Sequence, residues 1–401
     1  MMPARGAESK RTSSLLLVYV VRLLAMRVAP RVAFAMAISF PRTLRYARTW
    51  LTGRDDLLQD EIMLDRDGTS IPATLLRPRA PASALPAWVV MHGITRAGRA
   101  HAQLVRFARS VASTGAVVII PEVPEWRQLN LAPHLTAPTI RSAIDALRTH
   151  PDVHKGRFGL VGFSFGAPHT VAAAGDPGLR SDIAGAVSFG GYCDLGRTIH
   201  FMMTGEHEHN GDAFSLRPDP YGRWIVAANY LTDAAGYEDA VDVADALRRL
   251  ALLAGDTGAP AWSPEYDLAK VQMAAGLAPD RRELFDLIAP PSNRQPDAAR
   301  GAEMAALLTE GGKRVQPHMD PAQSLSDVAC PVHILHGRFD HLIPFSEGFR
   351  LRQALPPQAK AYATVTRLFG HSAQDPFLSP LQALREIPIL FGALARVFGM
   401  M

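Results

Sequence analysis

The side chains with the most capacity for chemistry in this chain of 401 residues are a serine, an aspartate and a histidine that stand far apart in sequence. Ser164 lies within Gly162-Phe163-Ser164-Phe165-Gly166, Asp340 within His336-Gly337-Arg338-Phe339-Asp340-His341-Leu342-Ile343-Pro344, and His371 directly after Gly370. A serine hydroxyl is a weak nucleophile at neutral pH, so acyl transfer through it needs a base to take its proton and later return it to the leaving group. It also needs an acid that holds the base in one tautomer, and donors fixed in advance for the oxyanion. Ser164, Asp340 and His371 are the right residue types for nucleophile, acid and base. Glycines two residues either side of the serine leave room for a sharp, strained turn from strand into helix. Such a turn puts the Phe165 N–H at a helix N-terminus, where unpaired donors and the helix dipole favour developing negative charge.

The elements that must hold these residues show as an alternation of periods. Residues 87–91 and 116–120 are continuous apolar runs of the kind expected for strands buried on both faces. Further strands are expected at 158–162 and 185–189, with helices over 101–113 and 137–149 and from the serine to Ala174. Ahead of them, residues 62–64 and 71–76 are joined through Asp67-Gly68, a dipeptide suited to positive φ, and predict an antiparallel hairpin. The rhythm resumes late in the chain with a strand at 332–335, a helix near 347–355, a strand at 362–369 and a closing helix over 381–398. Strand and helix in alternation imply an α/β fold, a doubly wound and mostly parallel sheet with ligands at the carboxyl ends of its strands. Ser164, Asp340 and His371 each follow such an end.

Between the two halves, residues 191–325 lack the alternation and read as mainly helical, at about 224–231, 240–253, 263–275, 281–288 and 298–308. That is too long for an ordinary loop and is expected to be an inserted helical lid. Within it Trp224 and Tyr230, together with His92 of the body, are candidates for a substrate pocket, as are Trp262 and Met273. Helical cores use the same aromatic and methionine side chains, and core packing is the simpler reading of the four lid residues. Glu206-His207-Glu208-His209, with Asp212 nearby, lacks the i, i+4 histidine pair of a helical zinc site and reads as a solvated loop rather than a metal centre. Neither a Walker-type phosphate loop nor a dinucleotide fingerprint occurs, and the chemistry requires no cofactor.

Taken together, His92-Gly93, the serine pentapeptide, the 336–344 segment and Gly370-His371 resemble the α/β-hydrolase family over about residues 57–190 and 326–399. Serine, then acid, then histidine is that family's chain order and differs from the order on other triad folds. The resemblance implies a core at 51–190 and 326–401 with the lid at 191–325, an acyl-enzyme on Ser164, Asp340 as the orienting acid and His371 as the base. It adds the Ile94 N–H, after the His92-Gly93 turn, as the second oxyanion donor beside Phe165. The expected activity is hydrolysis of a carboxylic ester carried by a small acyl substrate. Acyl transfer, thioester or amide cleavage, and non-catalytic ligand binding are the alternatives on the same fold. Asp194 stands as a rival acid and His341 as a rival base, while His336 and His169 are expected to be structural.

Charge bears on partners. Residues 1–50 carry Arg5, Lys10, Arg11, Arg22, Arg27, Arg31, Arg42, Arg45 and Arg48 against Glu8 alone, so the formal net charge of +4 hides an acidic body behind a basic arm. A nucleic-acid role for the body has little support. The apolar runs at 15–26 and 32–40 are interrupted by Arg22, Arg27 and Arg31, and Pro30 suits the start of a second helix better than the continuation of a first. Those arginines also spoil a secretory signal. The arm is therefore expected either to lie in a membrane interface through about residues 13–40 or to pack on the body or on a second copy, in a cytoplasmic protein. Two cysteines, Cys193 and Cys330, make no disulfide framework and fit a reduced compartment.

Overall fold

A computed structural model of the chain describes residues 30–80, 84–368 and 380–401. The strands are β1 (Leu57–Arg66), β2 (Thr69–Pro78), β3 (Ala87–Met91), β4 (Val117–Pro121), β5 (Phe158–Phe163), β6 (Ile183–Phe189), β7 (Glu206–His209), β8 (Asp212–Ser215), β9 (Val332–Gly337) and β10 (Tyr362–Thr366). The first helices are α1 (Pro30–Thr52), α2 (Ala102–Ala112), α3 (Thr136–Thr149), α4 (Gly166–Ala173) and α5 (Leu195–Thr204). They are followed by α6 (Pro220–Tyr230), α7 (Val241–Thr257), α8 (Asp267–Ala275), α9 (Pro279–Ile288), α10 (Ala298–Val315), α11 (Phe345–Ala354) and α12 (Pro380–Phe398).

Eight strands form one sheet in the order β1-β2-β4-β3-β5-β6-β9-β10. β1 and β2 pair antiparallel through Asp67 and Gly68, both at positive φ, and β2 meets β4 antiparallel; every later pairing is parallel. All five residues of β3 and of β4 are buried, as strands covered on both faces must be. Alternate residues of β3 serve the two sides of the sheet. Trp88 and Val90 join Leu104, Phe107 and Val111 of α2 and Leu394 and Phe398 of α12 on one face. Val89 and Met91 join Ile140 and Ile144 of α3 and Val171 of α4 on the other.

α1 begins at Pro30, the position expected to start a helix, whereas the apolar run at 15–26 lies outside the described residues. It packs parallel to α12: Phe40 meets Phe391 edge to face at 5.6 Å and Tyr46 meets Phe398 at 5.5 Å. Arg42 closes the far end of α12 by donating to the carbonyls of Phe398 and Met401 at 3.3 and 2.6 Å. Among the described residues no helix is long and apolar enough to cross a membrane.

The inserted stretch contains the expected helices as α6 to α10, plus two elements the sequence reading did not name. One is α5, which ends at Gly205 in the left-handed conformation. The other replaces the expected solvated loop: Glu206–His209 and Asp212–Ser215 pair as an antiparallel hairpin, β7–β8, turning at Asn210-Gly211 with φ of 54° and 85°. Its alternation explains the sequence. His207 and His209 pack on Phe214, Phe345 and Phe349, while Glu206 and Glu208 face water. Among the described residues no cluster of three or more His, Cys, Asp or Glu could hold a metal ion. The side chains of this region belong to the same continuous hydrophobic cluster as the body, since Trp224, Leu247, Phe285 and Leu308 are linked through buried contacts to Ile140 and Leu160.

Candidate active site

Ser164 stands directly after β5 with φ of 52°, a left-handed conformation that a residue with a Cβ adopts only under local constraint. Its N–H donates to the Phe189 carbonyl at the end of β6 (2.8 Å), and its own carbonyl accepts from Ala167 in the first turn of α4 (3.0 Å). The flanking glycines are required by contact. A Cβ on Gly162 would lie 2.6 Å from the Gly166 carbonyl oxygen and 2.7 Å from Ala167 Cα, and one on Gly166 would run into the carbonyl of His92. The serine is neither fully buried nor fully exposed. Phe163 stacks on Phe189 at 4.8 Å and Phe165 meets Trp126 edge to face at 5.2 Å, so both variable positions of the pentapeptide are packing side chains. The Phe165 N–H falls at the N-cap of α4, where an amide has no partner within its own helix.

Across from the serine is the turn after β3. A Cβ on Gly93 would come within 2.9 Å of Ser164 Cβ, so the main chain of this turn lies directly on the Ser164 side chain. His92 is buried to 1% exposure and explains how the turn is held. The Val123 N–H donates to its Nε2 at 3.1 Å, which leaves the ring proton on Nδ1, 2.7 Å from the Gly93 carbonyl. In a trans peptide the N–H points opposite to the C=O. With the Gly93 carbonyl tied back to His92, the Ile94 N–H of the same peptide is turned the other way. His92, expected at a pocket wall, is thus a positioning residue behind the turn. Glu122 Oε1 also approaches Nε2, at 3.0 Å; because the Val123 amide can only donate, the imidazole nitrogen is its acceptor, and the Glu122 charge is left to Arg99 and Arg127, each 3.8 Å from its other oxygen.

Asp340 follows β9 and is 1% exposed. Its Oδ1 accepts from the N–H groups of Leu342 and Ile343 at 2.9 and 3.0 Å, closing a tight turn on itself rather than capping α11, whose N-cap is Pro344. Its Oδ2 lies 3.5 Å from Nε2 of the fully buried His336, whose nearer partner is the Ile343 carbonyl at 2.9 Å. The rivals are engaged elsewhere. Asp194 is the N-cap of α5, accepting from the Arg197 N–H at 2.9 Å, and its own N–H donates to Glu347. His341 bonds the Arg217 carbonyl through Nδ1 at 2.7 Å and packs against Trp262 at 5.0 Å. His371 lies outside the described residues.

Trp224 and Tyr230, named as pocket candidates with core packing as the simpler reading, are interior to the region 191–325. The Trp224 ring is fully buried against Tyr266 and Lys270, and Tyr230 is 2% exposed with its ring against Gly312 of α10. A stripe at helical spacing does not say which side of the helix meets the substrate, and here the aromatic side is the core side. A residue the sequence reading passed over is Arg96, two positions beyond Ile94. It donates to Asp256 near the end of α7 at 2.7 Å and to the Arg127 carbonyl at 2.8 Å, linking the turn after β3 to the helices of residues 191–325. His169 is buried with Nε2 on the Tyr192 hydroxyl at 2.9 Å, and burial holds its pKa down at about 3, which keeps the ring neutral.

No protein family and no curated protein sequence matches the chain. Among solved structures it is similar to Est1E from Butyrivibrio proteoclasticus, with 13% identity over 83% of this chain and 96% of that one and a TM-score of 0.43. It is similar to brefeldin A esterase, a bacterial homologue of human hormone-sensitive lipase, with 16% identity over 92% and 87% of the two chains and a TM-score of 0.44. An acylaminoacyl peptidase shows 12% identity and a TM-score of 0.47; the match covers 82% of this chain but 40% of the peptidase. The sheet order, the antiparallel second strand, the serine at positive φ after β5 and the buried acid after β9 are features of this chain itself, and by them its fold is that of the α/β-hydrolases.

Proposed function

We propose that the chain is a serine hydrolase that cleaves a carboxylic ester through an acyl-enzyme on Ser164, with Asp340 as the orienting acid and His371 as the base. The observation that carries this reading is the strained conformation of Ser164, held at φ of 52° between the ends of β5 and β6 with the Gly93 turn against its side chain. Strain of this kind costs of order 1–3 kcal/mol and persists where the surroundings impose it, commonly at functional sites. In the reaction, Oγ attacks the ester carbonyl carbon while His371 accepts its proton. The negative charge on the carbonyl oxygen is met by the N–H groups of Phe165 and Ile94. Collapse expels the alcohol, which receives the proton from His371, and water repeats the sequence to release the acid. Asp340 suits the acid role because its Oδ1 is fixed by two backbone donors, which sets the direction of Oδ2.

The test is Ser164→Ala assayed on p-nitrophenyl esters of increasing chain length, beside labelling by a fluorophosphonate probe. The expected result is covalent labelling of Ser164 in the native protein and a loss of at least about 10⁴-fold in kcat for the variant, with its fold retained by circular dichroism. Undiminished turnover by a folded Ser164→Ala protein would overturn the assignment.

A further inference from the structure

We propose that residues 191–325 serve as a fixed brace rather than an opening lid, and that Arg96 is the positioning residue through which this brace holds the turn after β3, and with it the Ile94 N–H, against Ser164. The consequence for catalysis rests on the hydrolase reading; the brace itself does not.

The turn after β3 is anchored at two points. On the β3 side the Gly93 carbonyl is tied back to His92. Beyond Ile94 the anchor is Arg96, held by main chain and side chain alike: its carbonyl accepts from Arg127 Nε at 3.0 Å, and its guanidinium donates to the Arg127 carbonyl at 2.8 Å and to Asp256 of α7 at 2.7 Å. Two arginines locked to each other in this way need an acid at hand, and Asp256 supplies it. The pair is 25% and 57% exposed, and an ion pair so open to water adds little to stability; what it does is place the turn. The helix is shaped for the contact. Glycine is a poor choice inside a helix, yet Gly255 stands in α7, where a Cβ would run into Arg96 Cγ, lie 3.4 Å from Arg96 Cβ and lie 2.8 Å from the Tyr221 hydroxyl of α6.

The other end of the brace grips the loop that bears Asp340. The Asp219 N–H, at the N-cap of α6, donates to the His341 carbonyl at 2.7 Å, and His341 Nδ1 donates to the Arg217 carbonyl at 2.7 Å. One residue into the helix from Tyr221, a Cβ on Gly222 would lie 3.4 Å from Leu342 of the same loop. α6 and α7 pack against one another, so the two grips are joined. β3 and β9 stand three places apart in the sheet with β5 and β6 between them, and the helix pair therefore spans the end of the strand from which Ser164 projects. Swinging this region away would break its contacts with both loops at once. Kept in place, it fixes the Ile94 N–H before a substrate arrives, which is what an oxyanion donor requires.

The experiment removes the tie and then restores it covalently in the full chain. Arg96→Ala should lower kcat on a soluble p-nitrophenyl ester by at least about tenfold with KM within about twofold of native, the split expected when a transition-state donor is displaced. In Arg96→Cys/Gly255→Cys the Cβ separation of 3.4 Å is close to the about 3.5–4.5 Å of a disulfide, and the native Cys193 and Cys330 are buried away from it. This variant should be as slow as Arg96→Ala in dithiothreitol and recover to within about threefold of native kcat once oxidised, with the bridge confirmed by mass spectrometry. Because both states are compared in one protein, a general loss of folding affects them equally. Native kcat in a folded Arg96→Ala protein, or an oxidised form no faster than the reduced one, would remove Arg96 from its role. An oxidised form less active than the reduced one would show a region that must open. Failure of the bridge to form in the folded variant would overturn the brace itself. If Ser164 proves dispensable for turnover, the hydrolase reading falls and takes the kinetic argument with it, while bridge formation still decides the brace.

Discussion

At the scale of residues, the consequential hydrogen bond is the one least like a catalytic contact. Nδ1 of His92 reaches no candidate reacting atom, yet its bond to the Gly93 carbonyl fixes the peptide that presents the Ile94 N–H. An oxyanion donor is worth about 2.7–4 kcal/mol to the transition state and far less to the ground state. His92→Phe, which keeps a ring in the space but lacks the donor, should therefore lower kcat by about 10²-fold with little change in KM. Steady-state kinetics on one soluble ester check this, and an unchanged kcat would show that the turn holds itself. The strained turn at Ser164 and the place of Asp340 after a parallel strand were legible from residue type and position, because a strained turn demands glycines and the strand periodicity locates the strand ends. The role of His92 was not legible: His-Gly shows a turn, while the direction of a peptide plane depends on Val123, thirty-one positions away.

At the scale of elements, the inserted helices bear on whether Trp224 and Tyr230 select substrate or hold structure. α6 reaches the loop that bears Asp340, where the Asp219 N–H donates to the His341 carbonyl at 2.7 Å, and the other end of the helix is tied by Asn229 to Leu129 and Leu131. Its indole faces away from that seam, into Tyr266 and Lys270. Trp224→Ala should cost about 3–5 kcal/mol in stability by chemical denaturation and leave the order of preference among acyl chain lengths unchanged. A shifted preference at unchanged stability would put the ring back in the pocket. Periodicity gave the helices themselves with fair accuracy but not their facing, since an insertion buried against the body on one side and against its own helices on another carries apolar residues on both. The hairpin β7–β8 was within reach of the sequence, because Asn210-Gly211 is a strong turn dipeptide; the charged Glu-His repeat concealed that alternate residues were packing on phenylalanines.

At the scale of the whole molecule, three buried or half-buried histidines set a common acid limit. Burial depresses His169 to about 3, and His207 and His333 to about 4, from an ordinary 6.5. A folded-state pKa below the unfolded value means that the unfolded chain binds more protons. The contribution to stability is therefore complete above pH 6.5 and is lost as pH falls through the window down to the folded pKa of each ring. Thermal melting temperatures should fall steadily from pH 6.5 toward 4, and His169→Phe, which cannot be protonated, should make that fall shallower; an identical slope in the variant would remove His169 from the account. His207 is about half buried and contributes less than its shift suggests.

The sheet order has a bearing on synthesis. β1 to β6 are contiguous neighbours and already contain the serine turn, while β9 and β10 extend the sheet beyond β6 and arrive last with the acid. Synthesis delivers the chain from its N-terminus, while a domain folds as a unit. A growing chain would thus hold the Ser164 turn before Asp340 exists, and the edge of β6 would stay unpaired until β9 docks on it; on the proposed mechanism, activity could appear only after that last step.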